Sequence, residues 1–438
     1  MATLTFPLSR IEGHARVEIE VREGRVISTR FQAMEKRGFH LLVRGVPAEQ
    51  MPVIVPRICG VCSTAHHVAS VKALENAYGV TPPPAANSIR ELLLLGQILQ
   101  NQATSLFIFT MPDRLGVNSI FHLSREEADQ ESQFNIARRA LRVRQLGTDL
   151  ITLAGGQFIH PIKAVVGGVS SGVEVERTDV FRQRLEEALP TACELVEYYW
   201  DISMRMKERI GSWGDDQPSY YIASTEREVP SYNSSLIRVM RPEGECCSEF
   251  TAEKFRQVLT FEETDYSYAG RTSYQGGVMR SNSLARANMT RRMGTKLADR
   301  FLRRLRGEFG HPAHPILLFD LCRGIELVYA MERAIQLLGN PLGDDDTKVP
   351  YKPLNDCEGW GLVEAPRGPL IHHYIIEGGH ISLAEFIIPT VHNMMAIERA
   401  LRVAAERYIT ADSVNLELER AVGRVVRSFD PCIACATH

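Results

Sequence analysis

Four cysteines stand in two Cys-x-x-Cys pairs at opposite ends of a 438-residue chain: Cys59 and Cys62 in Arg57-Ile58-Cys59-Gly60-Val61-Cys62, and Cys432 and Cys435 in Asp430-Pro431-Cys432-Ile433-Ala434-Cys435. Two thiolates at that spacing reach one ion at a metal–sulfur distance of about 2.3 Å. The simplest use of four thiols separated by most of the chain brings both ends together around one metal centre, which constrains the fold more than any other feature. A structural zinc held by four cysteines satisfies the arithmetic, although zinc ribbons place their pairs about 15–20 residues apart. His66, four residues after Cys62, and His438, three after Cys435, add an imidazole beside each pair. Soft sulfur ligands select iron, nickel, copper or zinc, and a redox metal further needs a proton relay and oriented outer groups. The nine cysteines are too few for a disulfide scaffold. Cys193, Cys246, Cys247, Cys322 and Cys357 show no ligand spacing.

The chain carries 50 Lys and Arg against 53 Asp and Glu, so nothing at whole-chain level asks for nucleic acid, an acidic membrane or a polyanionic substrate. The basic run of Arg291, Arg292, Lys296, Arg300, Arg303, Arg304 and Arg306 has roughly helical spacing and reads as a solvated or subunit-facing helix surface. The most apolar span, Leu92 to Phe109, is interrupted by Gln97, Gln100, Asn101 and Gln102, so no membrane crossing is expected. Residues 1–8 lack the pattern of a signal peptide. Alternation over Val17–Val21 and Val26–Phe31 around Glu23-Gly24 predicts a β-hairpin, and Ile371–Ile376 with Ile381–Ile388 around Glu377-Gly378-Gly379 predicts another. Ser88 and Glu91 form a capping box ahead of Leu92, which predicts a long buried helix from there. Helical periodicity recurs over 126–154, 178–209, 286–307, 323–338, 392–407 and 412–427, with connections near 211–250 and 341–358. The expected fold is mainly α, a long-helix bundle with small sheets near both termini (α+β). It forms one unit spanning 1–438, with residues 57–66 and 430–438 brought together.

Five signatures occur in one order: Arg10-Ile11-Glu12-Gly13-His14; the Arg-x-Cys-Gly-x-Cys-x-x-x-His of residues 57–66; Glu364-Ala365-Pro366-Arg367-Gly368; Pro389-Thr390; and Asp430-Pro-Cys-x-x-Cys-x-x-His438. Together they resemble the large, catalytic subunit of nickel–iron hydrogenases across essentially the whole chain. The resemblance implies a thiolate-bound nickel beside an iron that carries carbon monoxide and cyanide, with heterolytic, reversible cleavage of H2 as the reaction. It matches Cys59 and Cys432 to terminal nickel ligands, and Cys62 and Cys435 to the bridges between nickel and iron. Cys432 then hands a proton to Glu12, the first relay. Arg367 matches an arginine over the iron's outer face, with Asp430 as its charge partner. Pro366 and Thr390 match positions around the cyanides, and His66 a donor to a bridging sulfur. A hydrogen-sensing relative with the same metal core and low turnover is the alternative.

The sequence also departs from that family. Where an Arg-Gly-x-Glu motif helps hold a magnesium, this chain reads Arg37-Gly38-Phe39-His40. The resemblance therefore places His40, His438 and a carbonyl near Phe386 around a second metal, magnesium or a transition metal, and two imidazoles suit the latter better. Glu35 is a candidate to compensate or to approach the nickel site. A histidine usual after the first long helix is replaced by Asn101-Gln102. The pairs His372-His373 and His311/His314 fall outside the signatures and are expected to have packing or solvent-facing roles. There is no further cysteine cluster and no G-x-G-x-x-G context, so an iron–sulfur small subunit is implied. Further electron-transfer subunits (flavin/NAD(P) or deazaflavin) and a cytoplasmic location are implied with it.

Overall fold

A computed structural model describes residues 2–123, 128–207, 218–343, 347–409 and 413–437. Three antiparallel strands open the chain: β1 (Ala2–Pro7), β2 (Ala15–Arg22) and β3 (Arg25–Ala33). Val17, Ile19 and Val21 alternate inward and are fully buried. Glu23 and Gly24 both take positive φ, the two-residue turn whose twist matches that of the strands it joins.

Five long helices build the centre: α1 (Ser63–Tyr78), α2 (Pro84–Ala103), α3 (Ala128–Gly155), α4 (Val175–Met204) and, later in the chain, Leu318–Leu338. Helix α2 starts four residues before the predicted cap. Pro84 is pre-set for a first helical turn, and Ser88 instead bonds back to the Pro84 carbonyl at 3.2 Å. The helix then passes into a π-helical stretch over Thr104–Thr110. By length and composition the run Pro84–Leu115 could cross a membrane, but 83% of its most apolar window is buried inside this protein. Its interrupting amides are buried too, and three of them tie the helix to distant parts of the chain: Gln97 bonds the Val61 carbonyl, Asn101 bonds Asp430 and Gln102 bonds Glu326.

The predicted connection 211–250 is partly sheet. Strands β4 (Tyr220–Ala223), β5 (Leu236–Met240), β6 (Cys246–Thr251) and β7 (Met279–Arg280) lie in the order β6-β5-β4-β7, with β7 parallel to β4. The strands are too short and too interrupted by turns to show periodicity. The predicted helix 286–307 is two, α5 (Ser283–Met289) and α6 (Lys296–Phe309), broken near Gly294 at φ 89°. Its basic side chains are largely used within the chain: Arg300 and Arg304 pair with Glu197, and Arg306 bonds the carbonyls of Ala287 and Thr290. Leu318–Leu338 is α7.

The C-terminal hairpin is a three-stranded antiparallel sheet, β8 (Cys357–Ala365), β9 (Gly368–Glu377) and β10 (His380–Ile387). Helices α8 (Met394–Tyr408), α9 (Leu416–Phe429) and α10 (Ile433–Ala436) complete the chain. Strand β8 is masked in the sequence by Gly359 and Gly361, which have a packing reason: a Cβ on Gly361 would stand 2.0 Å from the Ala69 carbonyl of α1. We expect Gly361→Ala to cost about 1–3 kcal/mol in thermal unfolding. Gly307→Ala, with open space in α6, should gain about 0.5–1 kcal/mol, and equal effects would show that the contact is not limiting. Positions 126–127, 208–209 and 412 of the predicted helices, 211–217 and 344–346 of the predicted connections, and His438 lie outside the described residues.

Candidate metal centre

Both cysteine pairs sit where a turn feeds a helix. A 3₁₀ turn (Val55–Ile58) ends at extended Cys59, and Cys62 precedes the first residue of α1, so its sulfur lies at the positive end of a sixteen-residue helix. At the other end α9 stops at Asp430, which takes a left-handed conformation (φ 50°), and Cys432 leads into α10. The N-terminal signature binds the two together. Glu12 makes a β-bridge with Cys432, and its carbonyl accepts from Ile433 N–H at 3.1 Å. Gly13, at φ 79°, permits this approach, because a Cβ there would lie 2.8 Å from Ile433 Cβ.

The four sulfurs are buried and lie within 4.8 Å of one another. Contacts run from 2.7 Å for Cys62–Cys435 and 2.9 Å for Cys432–Cys435 to 3.5 Å for Cys432 with Cys59 and with Cys62. These exceed the roughly 2.05 Å of a disulfide, and all four are free thiols. Crowded together, they titrate as a group: hydrogen bonds from Cys432 and its neighbours hold Cys59 well below the usual thiol range, while burial pushes Cys432 and Cys435 well above it. Four buried thiols lose their protons together only where a cation offsets the charge. With only sulfur donors and almost no solvent exposure the cluster fits a soft metal, and sulfurs this close suit either one ion or two neighbouring ions sharing them.

Glu12 and Arg367 approach the sulfurs from different parts of the chain. The Glu12 carboxylate oxygens lie 3.1 Å from Cys432 Sγ and 3.5 Å from Cys59 Sγ, and one accepts from Ala434 N–H at 3.0 Å. Burial, then the negative charge on Cys59, push its pKa up to about 7. Arg367 lies in the tight turn between β8 and β9. It donates to the Asp430 carbonyl at 2.5 Å and to Asp430 Oδ1 at 3.0 Å, so the predicted charge pair is formed. Its Nη1 is buried and has no partner among the described residues, and Arg367 lines a small niche with Pro366, Thr390, His66, Cys62, Cys432 and Cys435. Thr390 Oγ1 accepts from Cys432 N–H at 3.0 Å. An unsatisfied buried guanidinium nitrogen beside a small niche that also holds Ala365, Leu370 and Ile388 fits small ligands that accept hydrogen bonds.

His66 Nε2 lies 3.4 Å from Cys435 Sγ, and its Nδ1 meets His372 Nε2 at 2.9 Å. His372, expected to have a packing or solvent-facing role, is buried against Phe386 and also reaches His66 beside the sulfurs. The available signal is its place on a strand two residues from Tyr374, on the same face. His373 faces the other way, between Glu358 and Glu385 and stacked on Trp360, and His314 meets Tyr221. Glu35 also departs from expectation: its side chain is 46% exposed and pairs with His14, away from the sulfurs. His40 lines a pocket with Phe386 and Ala436, and the neighbouring Arg37 N–H bonds the Thr437 carbonyl, so this segment does reach the C-terminus. Among the described residues His40 joins no group of three ligand side chains.

Comparison with known proteins agrees with this geometry. The chain is 32% identical over 409 residues to one subunit of the F420-non-reducing hydrogenase vhu of Methanocaldococcus jannaschii, covering 91% of this chain and 97% of that one. It is 28% identical over 462 residues to the NAD-reducing hydrogenase HoxS subunit beta of Cupriavidus necator, covering 99% and 93%. The crystal structure of an NAD+-reducing [NiFe]-hydrogenase in the H2-reduced state superposes over the whole of both chains, with a TM-score of 0.92 at 28% identity. Residues 6–35 match a HoxL-like family model, and residues 37–145 and 220–438 match that of the nickel-dependent hydrogenases, the family to which this chain belongs.

Proposed function

We propose that residues 1–438 act as one catalytic unit, cleaving H2 heterolytically and reversibly with Cys59, Cys62, Cys432 and Cys435 as the protein ligands of its nickel–iron centre. In this reading Cys59 and Cys432 would hold the nickel and Cys62 and Cys435 would be shared with the iron, whose carbon monoxide and cyanide would come from outside the chain. That centre supplies the electron-accepting half of the reaction. The observation that carries the protein's half is the Glu12 carboxylate 3.1 Å from Cys432 Sγ. A carboxyl with a pKa near 7 takes a proton from that sulfur and returns it with little penalty in either direction.

Arg367 supplies a fixed charge beside the same sulfurs. Two donated bonds to Asp430 orient the guanidinium and leave Nη1 for the iron's small ligands, with Pro366 and Thr390 closing the niche. Arg367→Lys keeps the charge and loses the fork. We expect turnover to fall about 10²–10³-fold with nickel retained, as when one preorganised donor is removed. Near-native turnover would release Arg367 from this role.

Electrons leave for an iron–sulfur small subunit, because the remaining cysteines form no metal-binding group among the described residues. Val53, Ile159 and Ile162 are about half exposed, and His160 bonds the Pro56 carbonyl, so an apolar rim flanks the approach to Cys59 and supports docking there. Likeness to a subunit of an NAD-reducing hydrogenase supports a cytoplasmic complex with further flavin or NAD(P) electron-transfer subunits, while likeness to F420-non-reducing hydrogenases gives the deazaflavin alternative no support. By the same reading His40, His438 and a carbonyl near Phe386 would hold a second metal, magnesium or a transition metal, supported by the Arg37–Thr437 bond that brings the His40 segment to the C-terminus. Infrared spectroscopy of the anaerobically purified complex, paired with dye-linked H2 turnover and nickel analysis, tests the whole reading. Carbonyl and cyanide stretches with turnover are expected, and stoichiometric zinc without those stretches would overturn it.

A further inference from the structure

We propose that His372 and Tyr374 are positioning residues for the metal centre, fixing which nitrogen of His66 carries its proton so that His66 presents an N–H to the sulfur of Cys435. The proposal rests on the reading of Cys435 as a metal-bound thiolate. A continuous chain of buried polar atoms leads away from that sulfur. Cys435 Sγ meets His66 Nε2 at 3.4 Å, and His66 Nδ1 meets His372 Nε2 at 2.9 Å. His372 Nδ1 meets the Tyr374 hydroxyl at 2.7 Å, which lies 2.9 Å from Ser70 Oγ. All four side chains beyond the cysteine are essentially without solvent exposure.

Local structure explains why these residues can form a chain. His66 and Ser70 are one turn apart on α1, and His372 and Tyr374 are two apart on β9, so each pair shares a face. Gly361 stands opposite His372 in the sheet register and lets α1 come close, while the edge of Phe386 contacts the His372 ring at 4.8 Å between centroids.

A neutral imidazole has one N–H and one lone pair, so two rings in series transmit direction: once one hydrogen bond is oriented, the others follow. A thiolate bound to metal only accepts. The chain must then run toward it, from the Tyr374 hydroxyl to His372 Nδ1, from His372 Nε2 to His66 Nδ1, and from His66 Nε2 to the sulfur, which requires the Tyr374 hydroxyl to turn its proton from Ser70 Oγ, to which it donates in this structure, to His372. The reversed pair of tautomers would face the thiolate with a lone pair. Hydroxyl protons at the far end rotate freely, so Tyr374 can supply the required donor. The hydrogen bond withdraws charge from a bridging sulfur, and outer partners of this kind tune a metal through its ligands.

The test uses the infrared bands of the intact, anaerobically purified complex. His372→Phe and, to a smaller extent, Tyr374→Phe are expected to move the carbonyl band to lower wavenumber, because a sulfur relieved of its donor gives more charge to the metals. Turnover should fall by roughly 10–100-fold with nickel content unchanged. His372→Gln, whose amide can donate to His66 and accept from Tyr374, should return the band toward its native position. Native bands in both Phe variants, or a Gln variant displaced as far as Phe, would overturn the proposal. If His372→Phe does not fold, Tyr374→Phe keeps its ring in place and carries the same test. A wild-type complex without carbonyl or cyanide bands would instead sink the nickel–iron reading beneath it.

Discussion

Glu12→Gln is expected to lower H2 turnover by about 10²–10⁴-fold, the usual contribution of a positioned proton carrier, while the complex keeps its nickel. The substitution is nearly isosteric, and the amide oxygen can still accept from Ala434 N–H, so the bridge between the two chain ends survives. What disappears is the only carboxyl among the described residues that contacts the Cys432 sulfur. The pH profile distinguishes this loss from distortion. With the Glu12 pKa pushed up to about 7, H2 oxidation, which needs the carboxylate as acceptor, should rise with pH through that value in the native protein and lose that limb in the variant. Stability shifts in the opposite sense. A carboxyl whose folded value exceeds its ordinary 4.5 favours the fold fully below that value and loses the contribution as pH rises through about 7. The Gln variant should therefore lose less stability than the native protein between mildly acidic and alkaline pH. Turnover close to native with the same pH limb would remove Glu12 from the proton path.

The four thiols, Glu12 and the Arg367–Asp430 pair are legible in the amino-acid sequence because each lies in a short, ordered signature, and because thiols at both chain ends demand that those ends meet. The hairpins around Glu23-Gly24 and Gly378-Gly379 are legible for a local reason, since turn chemistry and two-residue alternation are carried by adjacent residues. Strand β8 is not: Gly359 and Gly361 look like turn residues until helix α1 is laid across them. His372 is inconspicuous because its value depends on His66, some three hundred positions away, and on a helix–sheet contact that no single window contains. Glu35 misleads for the same reason in reverse. Nearness in sequence to His40 suggests a ligand, whereas the hairpin end turns its side chain outward to His14. The start of α2 shows two local rules in competition, with Pro84 at the first helical turn winning over a capping box inside the helix.

Arg286→Met should be the most damaging single substitution away from the sulfurs, costing about 3–5 kcal/mol, because it strands buried charge. Arg286 has no solvent exposure, and its guanidinium is fully engaged. It forks onto Glu326 at 2.5 and 2.8 Å, pairs with Glu364 at 2.7 Å, and donates to the carbonyls of Ala365 and Pro366 at 3.2 and 2.7 Å. The last two bonds hold the turn that presents Arg367, so the same loss should reach the metal niche. Burial already lifts Glu364 to a pKa of about 7 against the pull of Arg286. Without the guanidinium it rises further, and since a raised carboxyl loses its favourable contribution as pH increases, the penalty should be larger at alkaline than at mildly acidic pH. Gln102 and Ser224 N–H remain as partners for the two carboxylates but bring no charge. Arg286→Lys restores the charge without the fork and should recover part of the stability and little of the turnover, because one ammonium cannot hold two carboxylates and two carbonyls in place. Unfolding of the purified complex at two pH values, alongside dye-linked turnover, separates these contributions. A Met variant within about 1 kcal/mol of native at both would mean that the carboxyls simply take up protons and that this network does not hold the Arg367 turn.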